Sequence, residues 1–262
     1  MNGRFQRGGF TLVELVVVLL VIGIVTHLAV RELGAFRASR LVSAADRQLQ
    51  EIRTASAAFV ADLGRLPRAM VETNEHGEAI YTLSELWRRP TDLPAPTVSN
   101  VAAGAFVSTG WRGPYLQLAI GRERLTDPWG NALEVPVNDA DRAPERLVVS
   151  NATVWAVRHF GERTRPEAMR EVTLVPIGGL THDLVVGVWS ERLGGMARCT
   201  VTSPYDGGVS NQSQMVALGT QAKFSGLTPG VKTLVVTCGE TMAVRSVAVG
   251  RDQPSIVEVR LP

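Results

Sequence analysis

Side chains that usually carry catalysis are present in the chain, but their spacing supports no catalytic motif. The four histidines show no metal-ligand spacing, no Gly-x-Ser-x-Gly elbow occurs, and neither cysteine is close to a histidine in sequence. The stretch GLTPGVKT, residues 226–233, has the outline of a phosphate-binding loop. However, it has only three residues between its glycines, Val231 separates Gly230 from Lys232, and Pro229 removes a backbone donor. We therefore expect a turn there and no enzymatic activity.

The two cysteines, Cys199 and Cys238, are too few for a disulfide scaffold or a closed zinc site. They form one bridge if their part of the chain lies outside the cytoplasm, and two buried free thiols if it does not. The residues alone leave both alternatives open.

One carboxylate, Glu14, lies within an apolar segment. From residue 12 to residue 30 the only other clearly polar side chains are Thr26 and His27. A carboxylate at the centre of a membrane helix costs roughly 2.5–3.5 kcal/mol, so it usually marks a function and has a partner. The alternative is a side chain that reaches the nearby membrane interface.

The segment around Glu14 is long enough to cross a bilayer. A hydrocarbon core of about 30 Å needs about 20 apolar residues at 1.5 Å each, and charge reappears only at Arg31 and Glu32. We therefore expect residues 10–30 to span a membrane. Arginines flank both ends, so the positive-inside count does not decide the orientation. The long apolar run, with no Ala-x-Ala site directly after it, does not favour an ordinary signal peptide.

Beyond the apolar segment, the pattern predicts that one helix continues to residue 63. No proline interrupts residues 10–63. Apolar residues recur at helical spacing, and we expect them to form one buried stripe: Leu33, Phe36, Leu41, Leu49, Ile52, Phe59 and Leu63. Gly64 should end the helix, and Pro67 prevents its resumption.

The residues around Glu14 carry a family resemblance. The stretch Gly9-Phe10-Thr11-Leu12-Val13-Glu14 resembles the cleavage site of type IV prepilins and type II secretion pseudopilins. The resemblance implies that a prepilin peptidase cuts between Gly9 and Phe10 on the cytoplasmic side of the membrane, and that the new Phe10 amine is N-methylated. It also implies that Glu14 pairs with the Phe10 amine of an adjacent subunit and sets the axial stagger of a filament.

The middle of the chain extends this resemblance. The run Gly64-Arg65-Leu66-Pro67 and the block at residues 127–131, DPWGN, look like the major pseudopilin of type II secretion, so the likeness covers residues 9 to about 135. Residues 64–110 look loop-rich, with one short helical stretch at 82–88. We expect strands within residues 112–118 and 125–135, and a type I turn at 127–130. Residues 94–109 do not match the major pseudopilin pattern, and we interpret them as an insertion relative to that family.

Major pseudopilins usually bind calcium in an acidic loop after this block. Here the corresponding residues, 155–167, are rich in arginine, and the acidic run at 138–141 lacks the glycine and the glutamate of a hand-type loop. We expect no cofactor and no metal site; a retained calcium site is the alternative.

From about residue 172 the chain contains short β-rich runs separated by turn residues, which indicates an antiparallel sandwich. Residues 224–239 are similar to carboxypeptidase-regulatory-like or transthyretin-like sandwiches, which carry no catalytic expectation. Cys199 and Cys238 fall in two of the predicted strands. If the pilin-like topology holds, this part is periplasmic or external, and a Cys199–Cys238 disulfide is expected.

These observations define one expected architecture of class α+β. It has a leader at residues 1–9, a long helix at 10–63 with its span at 10–30, a pseudopilin-like head at 64–170, and a β-sandwich at 171–262. A net charge of +2 spread along 262 residues gives no reason to expect a nucleic-acid partner.

The expected function is that of a structural subunit of a type II secretion pseudopilus or type IV pilus-like filament that drives protein secretion. Its expected partners are other pilin-like subunits, prepilin peptidase and the assembly platform of the inner membrane. It would start in the bacterial inner membrane with a cytoplasmic N-terminus and end in a periplasmic or extracellular filament. Two alternatives are a minor or tip pilin with an adhesive or ligand-binding sandwich, and a membrane-anchored periplasmic binding protein that never polymerises.

Overall fold

The structure is a computed structural model. It describes residues 12–73, 79–102, 104–119, 121–131, 133, 156–159, 170–173, 181–250 and 255–262. Within these ranges, the side chains at 29–35, 71–73, 79–81, 156–159 and 170–173 are not described. The chain has an N-terminal helical part followed by a β-rich region with several sheets.

Helix α1 is a single element of 52 residues, Leu12–Leu63, about 78 Å long at 1.5 Å per residue. It ends as the sequence predicts: Gly64 adopts φ +69°, and its N–H donates to the Val60 carbonyl over 2.8 Å. A side chain at position 64 would also collide with the chain, because its Cβ would lie 2.5 Å from the Pro204 carbonyl oxygen. The helix end therefore fits closely against the C-terminal region.

Only the second half of α1 packs on the rest of the described chain. Burial starts at Ala45 and includes Leu49, Ile52, Phe59 and Leu63, each at most 3% exposed. These residues form a cluster with Leu66, Leu83, Leu86, Leu93, Trp111, Leu116 and Leu133. The predicted stripe was wrong at Phe36, which is 56% exposed and packs its ring 4.4 Å from the Arg40 guanidinium carbon.

In the described residues between the helix and the C-terminal sheets, the chain forms three two-stranded antiparallel hairpins. They pair strands β1 (Met70–Thr73) with β2 (Ala79–Thr82), β3 (Thr97–Ala102) with β4 (Ala105–Thr109), and β5 (Ala156–His159) with β6 (Arg170–Thr173). A single 3-10 turn, Ser84–Leu86, follows β2 inside the predicted helical stretch. The hairpin β3–β4 forms where an insertion was expected.

The strands expected within residues 112–118 and 125–135 are absent from the described residues there. Residues 111–119 instead have an irregular backbone, and backbone bonds attach this segment to Pro94 and Leu86. The N–H groups of Tyr115 and Leu116 both donate to the Leu86 carbonyl, over 2.8 and 3.0 Å. Trp111 and Leu116 also pack in the buried cluster with residues of α1. These contacts and the bonds to Leu86 position the segment without a neighbouring strand.

Seven strands form two sheets in the C-terminal region. They are β7 (His182–Ser190), β8 (Met196–Tyr205), β9 (Gly208–Ala217), β10 (Gln221–Leu227), β11 (Gly230–Cys238), β12 (Thr241–Val249) and β13 (Ser255–Leu261). One sheet has the order β10-β7-β13 and the other β12-β11-β8-β9. Side chains from both sheets, such as Leu184, Phe224, Leu234 and Val259, share one buried cluster. The sequence predicted most of these strands but missed β10, and β13 pairs with β7 in parallel, against the antiparallel expectation.

The edges where the two sheets meet are covered by side chains. Gln214 on β9 donates from Nε2 to the Lys223 carbonyl over 2.6 Å and accepts from the Lys223 N–H over 3.2 Å. Gln212 donates to the Ser225 carbonyl over 3.3 Å. At the opposite side, Ser255 on β13 donates to the Ala248 carbonyl of β12 over 3.2 Å. Glutamine and serine side chains thus replace strand partners at these edges.

A lysine is buried in the C-terminal cluster. Lys232 on β11 is 1% exposed and lies on the same face of its strand as Leu234 and Val236. Within the described part of the chain, its Nζ makes one hydrogen bond, to Thr228 Oγ1 over 3.0 Å. Burial lowers the pKa of the Lys232 ammonium to about 8.

Substituting Lys232→Met should stabilise the fold at neutral pH. Because the pKa is about 8 in the folded chain and 10.5 ordinarily, the unfolded chain takes up the proton first as the pH falls from 10.5 to 8. The wild type should therefore lose about 3 kcal/mol over this range, and the loss is complete below pH 8. Urea denaturation in mild detergent should show K232M about 3 kcal/mol more stable at pH 7, with the difference shrinking towards pH 10.5.

The matched control is Lys223→Met, since Lys223 is exposed and bonds Asp183 over 2.8 Å. That exposed pair should contribute less than about 1 kcal/mol with no comparable pH trend. A K232M difference that stays constant from pH 7 to 10.5 would contradict ionisation as its cause.

Candidate functional site

The first 17 described residues of α1, residues 12–28, form an apolar surface on every side of the helix. Their large apolar side chains are 47% to 81% exposed, from Val18 to Leu12. The hydroxyl of Thr26 is satisfied within the helix, because it donates to the Ile22 carbonyl over 2.7 Å. A helix that is apolar all round is normally buried in a protein core or a membrane. We call residues 12–28 the apolar helix segment.

No helix in the described residues is long and apolar enough to qualify as a membrane span. The span predicted for residues 10–30 is therefore not shown by the structure. Its first two positions, and the side chains of its last two, lie outside the described residues.

Of the three residues predicted to direct processing and assembly, the structure describes one. Glu14 lies in the first described turn of α1 with an exposed side chain. Gly9 and Phe10 lie outside the described residues. The structure thus places the carboxylate on the apolar helix segment, and its pairing with the Phe10 amine stays a prediction.

A charged cluster joins the end of α1 to the C-terminal sheets. Arg65 contacts the Glu85 carboxylate with both terminal nitrogens, over 2.8 and 3.0 Å, and Glu85 is 1% exposed. Its Nε donates to Asp206 Oδ1 over 2.7 Å. Because the two terminal nitrogens engage both oxygens of one carboxylate, the guanidinium plane is fixed. We call Arg65, Glu85 and Asp206 the junction cluster.

Neighbouring groups complete the junction cluster. The Arg68 N–H donates to Glu85 Oε2 over 2.7 Å, and the Asp206 N–H donates to the Leu63 carbonyl over 2.7 Å. Burial alone would lower the pKa of Arg65, but its bonds to Glu85 and Asp206 raise it overall. Burial would raise the pKa of Asp206, yet Arg65 holds it below its ordinary value. Arg65 and Asp206 therefore stay ionised at neutral pH, and the bonds of the cluster fix the sheets against the helix end.

The DPWGN block forms the predicted turn. The Gly130 N–H donates to the Asp127 carbonyl over 2.9 Å, and Gly130 has φ +88°. Asp127 Oδ1 also accepts from the N–H groups of Trp129 and Asn131, over 3.0 and 2.6 Å. Gln48 on α1 donates to the Thr126 carbonyl over 3.0 Å, which attaches the turn to the helix. This block therefore has a structural role in the described chain.

The two cysteines are both buried and both free in the structure, so the predicted disulfide is not formed. They lie on adjacent strands and on the same face, but Cys199 pairs directly with Val236. Cys238 is thus its diagonal neighbour, and diagonal Cα atoms are about 7–8 Å apart, beyond the reach of a relaxed disulfide. Burial raises the pKa of the Cys199 thiol to about 11, so this thiol is unreactive at neutral pH.

The loops considered for calcium contribute no described side chains. Residues 138–141 lie outside the described residues, and within 155–167 only the backbone of 156–159 is described. Among the residues that the structure describes, no three His, Cys, Asp or Glu side chains group in a way that would hold a metal ion.

Comparison with known proteins gives one informative match. The model of the prokaryotic N-terminal methylation motif matches residues 4–30, which include Gly9, Phe10 and Glu14. This match supports a type IV pilin-like or pseudopilin chain with an inner-membrane anchor, and it covers only the N-terminus.

The other comparisons add no functional information. No curated protein matches the chain significantly. Among solved structures, the crystal structure of S.CueP is similar at 14% identity, over 36% of this chain and 67% of that chain, with a TM-score of 0.26. A likeness at this level carries no argument about function.

Sequence reasoning missed the junction cluster. Arg65 was noted only as part of a motif, and its partners Glu85 and Asp206 are 20 and 141 residues away in sequence. The one available signal was the Gly64-Arg65-Leu66-Pro67 run, which places an arginine directly after a helix stop. No local pattern indicates which carboxylates it reaches.

The free cysteines predict a simple thiol count. Two thiols should react with a thiol reagent after denaturation of non-reduced protein, and both should react slowly in the native chain, because they are 0% and 8% exposed. Absence of reactive thiols in denatured material from the native host would show that the strands shift to form the bridge.

Substituting Glu85→Gln should weaken the junction cluster strongly. The change leaves the half-buried Arg65 guanidinium without its main counter-charge, the buried Glu85 carboxylate. Breaking a buried pair in this way typically costs about 3–5 kcal/mol. Because Asp206 still contacts Arg65, we expect about 3 kcal/mol, measured by urea denaturation in mild detergent. The control is Asp92→Asn, which removes an exposed contact to Arg68 over 3.2 Å and should cost less than about 1 kcal/mol. Equal effects of the two substitutions would contradict the role given to Glu85.

Proposed function

We propose that this chain is a pilin-like subunit that assembles into a filament through the apolar helix segment. The observation that carries the proposal is one uninterrupted helix whose first part is apolar and exposed on all sides, while its second part packs on the folded region. Full burial of a Val, Leu or Ile side chain contributes about 1.5–3 kcal/mol, so this surface gains greatly from a membrane or from neighbouring helices. The methylation motif at residues 4–30 supports the same proposal.

In the proposed mechanism, prepilin peptidase cuts between Gly9 and Phe10, and the Phe10 amine is methylated. The amine is a cation about one helical turn from Glu14. Within a bundle of apolar helices, a carboxylate is costly unless a cation satisfies it. A neighbouring subunit supplies that cation, so the Glu14–Phe10 pair sets the axial offset between subunits.

The proposed setting is a type II secretion pseudopilus or a type IV pilus-like filament. The subunit would be held in the bacterial inner membrane with its N-terminus in the cytoplasm until the assembly platform extracts it. The hairpins and the C-terminal sheets, which we interpret as a sandwich, would then form the outer surface of the filament in the periplasm or outside the cell.

Substituting Glu14→Ala tests the mechanism. The variant should be inserted and processed as the wild type, because the cleavage site is unchanged, but filament assembly should fall at least tenfold. Filament yield is measured by shearing and sedimentation in the native host. The matched control is Glu51→Ala, which removes an exposed carboxylate from the packed half of the same helix and should leave assembly unchanged. Normal filaments from E14A would contradict the proposed pairing.

Mass spectrometry of the mature N-terminus tests processing separately. The proposal requires a chain that begins at a methylated Phe10. A mature protein that still begins at Met1 would instead support a membrane-anchored binding protein that never polymerises.

A second candidate is a minor subunit at the filament tip whose C-terminal region binds a ligand. The observation that favours it is an open cleft beside Trp189 in the C-terminal sheets. Copy number distinguishes the two candidates, since a tip subunit occurs once or a few times per filament and a major subunit forms its length.

A further inference from the structure

A cleft of about 630 Å³ opens where strands β7 and β13 end side by side. Its walls come from the end of β7 with the residues after it and from the end of β13 with the residue after it. The lining residues used below are Trp189, Glu191, Arg192, Glu258 and Arg260. This volume lies within the usual range of small-ligand sites. No role in the proposed filament assembly uses these residues.

The aromatic ring in the cleft lies close to two glycines. Trp189 is 44% exposed, and a Cβ at Gly187 would lie 3.2 Å from its Nε1. A Cβ at Gly219 would lie 3.6 Å from the Cζ3 atom of the ring. Gly219 also has φ +86°, a conformation that other residues rarely adopt. The absence of a side chain at Gly187 leaves room for the indole, which packs beside both glycines while nearly half of Trp189 stays exposed.

A carboxylate borders the same space. Glu258 pairs with Gly187 across the parallel strands, and its Cγ would lie 3.7 Å from a Cβ at that glycine. Gly187 thus lies between the Trp189 indole and the Glu258 side chain. A larger residue at position 187 would occupy the space between these two side chains.

The charges of the cleft balance, and none of them is paired within the part of the chain that the structure describes. Two arginines, Arg192 and Arg260, face two glutamates, Glu191 and Glu258. All four side chains are exposed, and no ion pair or hydrogen bond joins any of them to a described partner. Their donors and acceptors are therefore available to a ligand.

This combination favours a neutral ligand rich in hydroxyl groups. An anionic ligand would meet two carboxylates, and a cationic ligand would meet two guanidinium groups. A sugar ring has an apolar face whose C–H groups pack on the negative face of an indole. Its hydroxyls both donate to carboxylates and accept from guanidinium groups.

We propose that the Trp189 cleft binds a neutral oligosaccharide, with one sugar ring stacked on Trp189 and its hydroxyls bonded to the glutamates and arginines around it. This site is independent of filament assembly, so it holds whether the chain is a major subunit, a tip subunit or an anchored monomer.

The test is calorimetric titration of the full chain in mild detergent with three neutral probes: cellotetraose, chitotetraose and maltotetraose. At least one should bind with a Kd below about 10 mM. Trp189→Ala should weaken that binding at least tenfold, whereas Trp189→Phe should retain part of it because a smaller aromatic face remains. The control Phe106→Ala removes another exposed aromatic residue, on β4, and should change the affinity less than twofold.

Two further probes test the charge argument. A sulfated heparin tetrasaccharide and a trilysine peptide should both bind at least tenfold more weakly than the best neutral probe. The proposal is overturned if none of the three neutral probes binds, if W189A binds as well as the wild type, or if either charged probe binds more tightly. None of these results would affect the filament proposal, which E14A and the mature N-terminus test.

Discussion

The arrangement of the helix and the C-terminal sheets depends on the guanidinium of Arg65. It lies just after the helix end, contacts both oxygens of the buried Glu85 and contacts Asp206 at the end of β8. It also lies 5.2 Å from the centre of the Phe59 ring on α1. Because a two-pronged contact to a carboxylate specifies direction as well as distance, one side chain orients three parts of the chain that are far apart in sequence. Gly64 permits this close approach, since a Cβ there would collide with Pro204.

This junction gives the two halves of α1 different roles. The second half is fixed by Ile52, Phe59 and Leu63 in the first buried cluster, and the folded region cannot slide along it without breaking the Arg65 contacts. The first half extends from that rigid base with its apolar side chains exposed. In the proposed filament, an axial offset set at Glu14 would therefore be transmitted along one helix to the folded region. Flexible attachment at residue 64 would lose that coupling.

The sequence was sufficient where local chemistry decides the structure. The stop at Gly64, the turn at Asp127 and most C-terminal strands follow from glycine conformation, side-chain hydrogen bonding and alternating apolar residues. It was insufficient where distant contacts decide. The helical spacing includes Phe36, but this side chain is 56% exposed and contacts Arg40 of the same helix instead of the buried cluster. The two cysteines lie in adjacent strands as expected, yet the register places Val236 opposite Cys199. The partners of Arg65 are not visible in any local pattern.

In the proposed filament, a second copy could bind either to the apolar helix segment or to a strand edge of the C-terminal sheets. The strand edges offer few free backbone groups where the two sheets meet. Strand addition needs an edge with free N–H and C=O groups. Gln212 and Gln214 bond the backbone of β10, and Ser255 bonds the backbone of β12. At these positions, backbone groups where the two sheets meet are thus already bonded to the chain's own side chains. A copy that approached there would have to displace these bonds, whereas the apolar helix segment gains free energy from any apolar neighbour. In the proposed filament, contact between copies is therefore favoured along α1, and the outer face of the β10-β7-β13 sheet would stay free for the proposed ligand.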